Sequence, residues 1–248
     1  MAGDRAGALS RPLSSWIGLE EEMPSSQTLP RSLSMALPSL AGFQPPSGAF
    51  DPAGDWEHRY GVWVLLPNAR NNKSRKMGEL SLRRTRAGEA AFDLRVTMTT
   101  EQQAATVCKV EASMRCRADV IAAVTEWRLT SEMLDNSGAA LADTRCELRG
   151  NGEKDRASNW SLLEAVQRVP AASGEVRFNM LEDLDLLKTD QRLHYRGPAE
   201  IDLAGRTLRL HGFEQIGHGI LPCDYWRDEQ GRLLFAIGGV RALIWENV

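Results

Sequence analysis

Two segments in the middle of the chain alternate apolar and polar residues at every position, over residues 92–98 and again over residues 108–116. An α-helix has 3.6 residues per turn and cannot sort such residues onto two faces, whereas a strand turns every second side chain to the same face. Both segments are therefore predicted to be strands with one charged and one apolar face. The apolar positions are Phe92, Leu94, Val96 and Met98, then Cys108, Val110, Ala112, Met114 and Cys116. Such an apolar face has to be covered by another element or leave a groove.

The chain from Asp55 onward continues this rhythm, with strand-like segments separated by turn sequences such as Asp135-Asn136-Ser137-Gly138. Consecutive strands joined by short turns favour antiparallel pairing. The fold class is therefore predicted to be mainly β with minor α. It is a curved antiparallel sheet or half-barrel of about ten strands with one or two short helices.

Two segments depart from the strand pattern. Residues Trp160 to Val169 have helical spacing, Ser161-Leu162-Leu163-Glu164 fits a capping box, and Pro170 stops the helix. This helix is the expected cover for the apolar face. A second short helix is predicted from the spacing of four apolar residues, although part of that segment also suits a strand. The four are Met180, Leu181, Leu184 and Leu187.

Residues 1–54 hold seven of the chain's 11 prolines. Helices and central strands do not tolerate this density of proline, so an extended or disordered arm is predicted here. Trp16 and Phe43 could anchor the arm on the domain or on a partner chain, but a mobile tail is the preferred interpretation. Residues 55–248 are predicted to form a single β-rich domain.

The formal net charge of −3 gives the chain no overall attraction to nucleic acid or to an anionic membrane surface. It has no run of about 20 apolar residues that would span a bilayer, so it is predicted not to be transmembrane. A cytoplasmic location is favoured, and export stays an alternative if the true start lies downstream of Met1, since the segment after Met23 resembles a secretory signal more closely.

Free thiols are favoured over two disulfides for the four cysteines, which are Cys108, Cys116, Cys146 and Cys223.

The sequence lacks the standard phosphate-loop, dinucleotide, zinc-protease and nucleophile-elbow motifs. Four residues could converge in a concave sheet and perform acid/base chemistry: Tyr195, His211, His218 and Asp224. Separate structural roles are the simpler interpretation. Two of them, His211 and His218, could ligate a metal with a carboxylate, but their odd separation puts them on opposite faces of an unbroken strand. No metal and no cofactor are predicted.

Three aromatic residues are candidates for contacting a ligand: Trp127, Tyr225 and Trp226. Aromatic side chains on the inner face of a curved sheet can line an apolar pocket. Such residues more often form plain core.

Two C-terminal segments, Glu200–Arg206 and Pro222–Leu234, have the sequence pattern of strands joined by turns. This pattern resembles the terminal hairpins of the bacterial half-barrel proteins related to the lipoprotein-sorting carriers. The resemblance implies a curved antiparallel sheet wrapped around a helix, with an apolar groove for a lipid chain. A few half-barrels of this kind are cofactorless enzymes. No functional residue of the family is carried over to this chain.

Three functions remain open at this stage. The preferred one is binding of an apolar or amphipathic small molecule, such as a lipid, in the groove of a β half-barrel. The second is a small cofactorless enzyme of acid/base, lyase or isomerase type on the same scaffold. The third is a structural β-module whose N-terminal arm contacts a partner chain.

Overall fold

The computed structural model describes residues 29–40, 42–65, 74–102, 106–203 and 205–246. Within these residues the chain forms one sheet of thirteen strands and two α-helices. The strands are β1 (Trp56–Val64), β2 (Arg75–Arg86), β3 (Ala91–Glu101), β4 (Val107–Arg117), β5 (Val124–Leu134), β6 (Cys146–Asn151), β7 (Arg156–Ser158), β8 (Glu175–Glu182), β9 (Leu186–Leu203), β10 (Arg206–Ile216), β11 (Cys223–Arg227), β12 (Leu233–Gly238) and β13 (Arg241–Glu246). The helices are α1 (Arg31–Ala36) and α2 (Asn159–Arg168), and Leu37–Ser39 and Ala171–Ser173 are 3₁₀ turns.

The sheet curls until its two edges lie close together. Its strand order is β6-β5-β4-β3-β2-β1-β13-β12-β11-β10-β9-β8-β7, so β6 and β7 are the opposite edges. These two edges are joined by residues 152–155 alone, which span at most about 20 Å. In addition, β5 contacts β7. The prediction of a mainly β, curved antiparallel sheet with one or two short helices is confirmed.

All strand pairs are antiparallel except β7 with β8, which is parallel. The sheet has more strands than the predicted ten because it includes short segments such as β7, which pairs only with β8 at the edge of the sheet. A three-residue strand has too few positions to show an alternation in the sequence.

Helix α2 lies inside the curled sheet and forms its core with the inner-facing side chains of the strands. The prediction of a helix from Trp160 to Val169 is confirmed to within one residue at each end. Its cap differs from the prediction. Ser158 is the N-cap and exchanges hydrogen bonds with Ser161, because the chain enters the helix directly from β7. Glu164 instead lies fully buried on the helix face that packs on β2.

The prediction of a second helix over Met180–Leu187 is wrong. Strand β8 continues to Glu182, a turn follows, and β9 begins at Leu186. Asp183 and Leu184 both have positive φ angles, 51° and 57°, which reverse the chain direction. The four apolar residues with helical spacing therefore lie on two strands of a hairpin and on the turn between them, where Leu184 is buried.

Part of the predicted extended arm is helical and packs on the domain. Leu33 and Ala36 of α1 and the following Leu40 are buried against the outer face of the sheet, where they form a second apolar core. Phe43 packs against Phe235 with 5.1 Å between ring centroids. This stretch is therefore helical rather than extended, and the apolar side of α1 is buried on the domain. Trp16 lies outside the described residues, and contact of the arm with a partner chain stays a prediction.

Candidate functional site

The candidate residues predicted from the sequence are divided between the inner and the outer face of the sheet. Tyr195 on β9 and His211 on β10 both point to the inner face, and the Tyr195 hydroxyl lies 2.9 Å from His211 Nδ1. Both side chains are half-buried. The pairing of β9 with β10 shifts register between Gly212 and Phe213, and this irregularity lies beside the contact.

The surroundings of His211 favour a neutral imidazole. Burial, followed by the positive charges of Arg227 and Arg209, lowers the pKa of His211 below its ordinary value. Arg227 itself is anchored, because its guanidinium donates to the Val166 carbonyl near the end of α2 at 2.8 Å. A neutral imidazole beside a phenol can accept or relay a proton.

A pocket of about 450 Å³ opens beside His211 and Arg227. It lies between the C-terminal turn of α2, the segment Pro52–Ala53, and the turn Asp228–Gly231. Burial raises the pKa of Asp228, a carboxyl group in the pocket wall. The pocket could admit a small polar molecule.

The other two acid/base candidates lie elsewhere. Asp224 points to the outer face of β11, where Arg196 donates to it at 2.8 Å. His218 is exposed in the turn that follows β10. The four residues therefore do not converge, and the structure brings together only Tyr195 and His211.

The three aromatic candidates are also divided between the faces. Tyr225 is buried inside, and Trp127 lies on the same inner face with its ring over Gly150. Trp226, the neighbour of Tyr225, points outward and is buried in the second core beneath α1. Trp226 therefore cannot line the same pocket as Tyr225. Ligand contact by these residues stays a prediction.

Sequence reasoning missed a buried network of polar side chains inside the barrel. Tyr225 donates its hydroxyl to Gln215 Oε1 at 2.8 Å, and Gln215 Nε2 donates to Gln191 Oε1 at 3.1 Å. Gln191 in turn donates to the backbone carbonyls of Thr189 and His218. The sequence signal for Gln215 was its position two residues after Phe213, because residues two apart on a strand share one face. Both side chains are buried.

The burial of inner-facing residues changes along the barrel. On β3, Phe92, Leu94 and Val96 are at most 1% exposed, whereas Met98 and Thr100 are partly exposed. The same change occurs on β4, from buried Cys116 to partly exposed Cys108. Helix α2 thus fills one end of the curled sheet, and apolar side chains at the other end reach the surface.

Among the residues that the structure describes, no helix is long and apolar enough to cross a membrane. Nor does that part of the chain bring together three or more histidine, cysteine, aspartate or glutamate side chains that could hold a metal ion.

Comparison with known proteins leaves the family open. No protein-family model matches the chain, and no curated protein matches it either. A solved structure, a beta-barrel-like protein of the domain of unknown function DUF1849 from Brucella abortus, is similar with a TM-score of 0.47 and 8% sequence identity. The match covers 79% of this chain and 96% of that chain. The resemblance to the lipoprotein-sorting carriers stays a prediction.

Proposed function

We propose that the protein binds an apolar or amphipathic small molecule at the end of the barrel that α2 leaves unfilled. The observation that carries the proposal is the change in burial along β3 and β4, which leaves inner-facing apolar side chains partly exposed at that end. Partly buried apolar residues on other strands share this inner surface. They are Val62 on β1, Leu243 on β13 and Cys223 on β11.

The chemistry of these walls favours an apolar contact. Burial raises the pKa of Cys108, and it raises the pKa of Cys223 to about 12, so both thiols stay protonated and behave as small apolar groups. Gln215, which lies opposite Cys223 in the register, is already hydrogen-bonded to protein partners. An apolar chain would therefore gain burial without displacing those bonds, at about 0.8 kcal/mol per buried methylene.

Two neighbouring residues of β3 provide a matched test. Met98 points inward at the unfilled end, and Thr97 points outward into solvent. Binding of a fluorescent fatty acid, cis-parinaric acid, is measured by titration for the wild type, Met98→Glu and Thr97→Glu. A buried carboxylate disfavours an apolar chain, so we expect Met98→Glu to weaken binding about tenfold or more and Thr97→Glu to leave it unchanged.

Native mass spectrometry of the freshly purified protein supplies an independent readout. A co-purifying lipid that is lost in Met98→Glu supports the proposal. A bare chain mass together with no saturable binding of the fatty acid rejects it, as does equal weakening by the two substitutions.

The contact between Tyr195 and His211 favours a second candidate, a cofactorless enzyme that moves a proton next to a carbonyl group. Its support is the 2.9 Å hydrogen bond of a neutral imidazole beside a pocket. The test is deuterium incorporation from heavy water into a set of small ketones and keto acids, followed by NMR. Exchange that the wild type accelerates and both Tyr195→Phe and His211→Gln abolish supports this candidate, and no acceleration by the wild type removes it.

A further inference from the structure

The outer face of the sheet carries a row of arginines on neighbouring strands. The register pairs Arg83 of β2 with Arg95 of β3, and Arg95 with Ser113 of β4. It then pairs Ser113 with Arg128 of β5, and Arg128 with Arg149 of β6. Four of the five strands in this row therefore present a guanidinium group on the solvent side.

Such a row opposes folding, because like charges directly opposite each other on neighbouring strands are destabilising. Glu147 offsets part of this repulsion, since it lies 3.2 Å from Arg128 and 2.5 Å from Arg149. Arg83 and Arg95 are different. Within the described residues, no carboxylate oxygen lies within 4.0 Å of either guanidinium group. Within the described residues, then, neither guanidinium group of this pair forms an ion pair, although Glu57 of β1 lies opposite Arg83 in the register.

A depression of about 620 Å³ lies over the part of this row that runs from Arg95 to Arg149. Four arginines, two carboxylates and Ser113 line it. The lining also includes Leu94, Met114 and Trp127, and the ring of Trp127 lies on the inner face over Gly150. One of the carboxylates, Asp93, is already paired with Arg115 at 2.5 Å. The volume falls in the range of small-molecule sites, and the lining has an excess of positive charge.

We propose that this depression binds a small anion that carries two or more phosphate groups. Neighbouring strands lie about 4.8 Å apart, so Arg95 and Arg128, which flank Ser113, start about 10 Å apart and can each contact a different phosphate group. Guanidinium groups bind phosphate oxygens through two parallel hydrogen bonds, and a serine hydroxyl between them can donate a third contact.

The same face favours a small molecule over a nucleic acid strand. Its strands present threonine, serine and charged side chains outward between the arginines, with no aromatic ring among the described outward-facing residues of β2 to β6. Single-stranded nucleic acids are bound by aromatic rings that stack on the bases, in addition to basic side chains. The net charge of the whole chain, −3, also opposes a long polyanion.

The test is calorimetric titration of the full chain with inorganic tripolyphosphate at low and at moderate salt. We expect saturable binding that weakens as salt increases, and about tenfold weaker binding for each of Arg95→Gln and Arg128→Gln. The matched control is Arg209→Gln on β10, which removes the same charge from an exposed arginine outside the depression and should leave binding unchanged.

Thermal unfolding separates binding from a structural role. Since Arg95 has repulsive neighbours and no ion pair within the described residues, Arg95→Gln should leave the Tm unchanged or raise it. No heat with tripolyphosphate, or equal weakening by Arg209→Gln, overturns the proposal. It is also overturned if a single-stranded oligonucleotide binds more tightly than tripolyphosphate and loses that binding in Arg95→Gln.

Discussion

Arg84 Nε donates to Glu164 Oε1 across 2.8 Å, and this pair joins strand β2 to the helix inside the barrel. Both side chains are almost completely buried, at 4% and 0% exposure. Arg168 also donates to Glu164, and Arg84 donates to the backbone carbonyls of Ala53 and Gly54. Every charge in this cluster therefore has a partner, and the cluster fixes how α2 lies in the sheet.

Removal of the shared carboxylate should be costly. Glu164→Ala leaves two buried or half-buried guanidinium groups without their counter-charge, so we expect a loss of about 3–5 kcal/mol in the free energy of unfolding. Urea unfolding followed by circular dichroism measures it. The matched control is Glu147→Ala, which also removes a carboxylate between two arginines, but on the exposed face, and should change stability by about 1 kcal/mol or less. Equal losses for the two variants would contradict the role of burial.

The buried imidazole of His58 should make stability depend on pH. It is enclosed by aromatic rings, with the Trp56 ring stacked at 4.3 Å and the Trp245 ring edge-on at 4.5 Å. Burial, and then the positive charge of Arg232, lowers the pKa of His58 from 6.5 to about 3. Between these values the unfolded chain binds a proton that the folded chain does not. Stability is therefore complete above pH 6.5 and falls as the pH decreases towards 3.

His58→Phe tests this contribution, because it removes the titrating group and keeps an aromatic ring among aromatic neighbours. Urea unfolding at a series of pH values gives the dependence of the unfolding free energy on pH for each protein. We expect the wild type to lose up to about 1.4 kcal/mol per pH unit more than the variant within the window. Parallel curves for the two proteins would show that His58 does not titrate as expected.

Helix α1 should stabilise the domain although it lies in the proline-rich arm. Leu33 is fully buried in the second core, so we expect Leu33→Ala to cost about 2–5 kcal/mol. Ser34→Ala, on the exposed side of the same helix, is the control and should have a small effect. Both are measured by urea unfolding. Unchanged stability of Leu33→Ala would indicate that the arm is not docked in solution.

The sequence alone was sufficient to predict a strand where one face of that strand contacts solvent. Strands β3 and β4 alternate because their outer residues, such as Arg95, meet solvent and their inner residues meet α2. The same logic fails at β8, where Met180 and Leu181 are both buried on opposite faces and alternation is lost. It also fails for α1, since a six-residue helix depends on tertiary packing rather than on its own propensity.

The candidate site was predictable in residue type and not in geometry. Tyr195 and His211 were named for their chemistry, but their contact depends on the register of two strands and on an irregularity at Gly212. Tyr225 and Trp226 are both candidates for contacting a ligand by residue type, but neighbours on a strand point to opposite faces, so only one of them faces the inside. Arg84 and Arg83 look alike in the sequence, yet one is buried against Glu164 and the other is exposed.

The four cysteines should differ strongly in reactivity. Cys146 is exposed on β6, Cys108 and Cys223 are partly buried, and Cys116 is fully buried. All four are free thiols in the structure. Thiolate, rather than thiol, is the reactive species, and burial raises the pKa of Cys108, Cys116 and Cys223. At mildly alkaline pH these three should react slowly, because little of each is ionised and access is restricted.

Titration with a chromogenic disulfide reagent checks this order. We expect one fast equivalent from the native protein, and its loss in Cys146→Ser. Concentrated guanidinium chloride should release all four thiols of the wild type and three of the variant. Cys108 lies at the unfilled end of the barrel, so a bound fatty acid should slow its reaction further while leaving Cys146 unaffected. Fewer than four thiols in the denatured, unreduced protein would reveal a disulfide and contradict the structure.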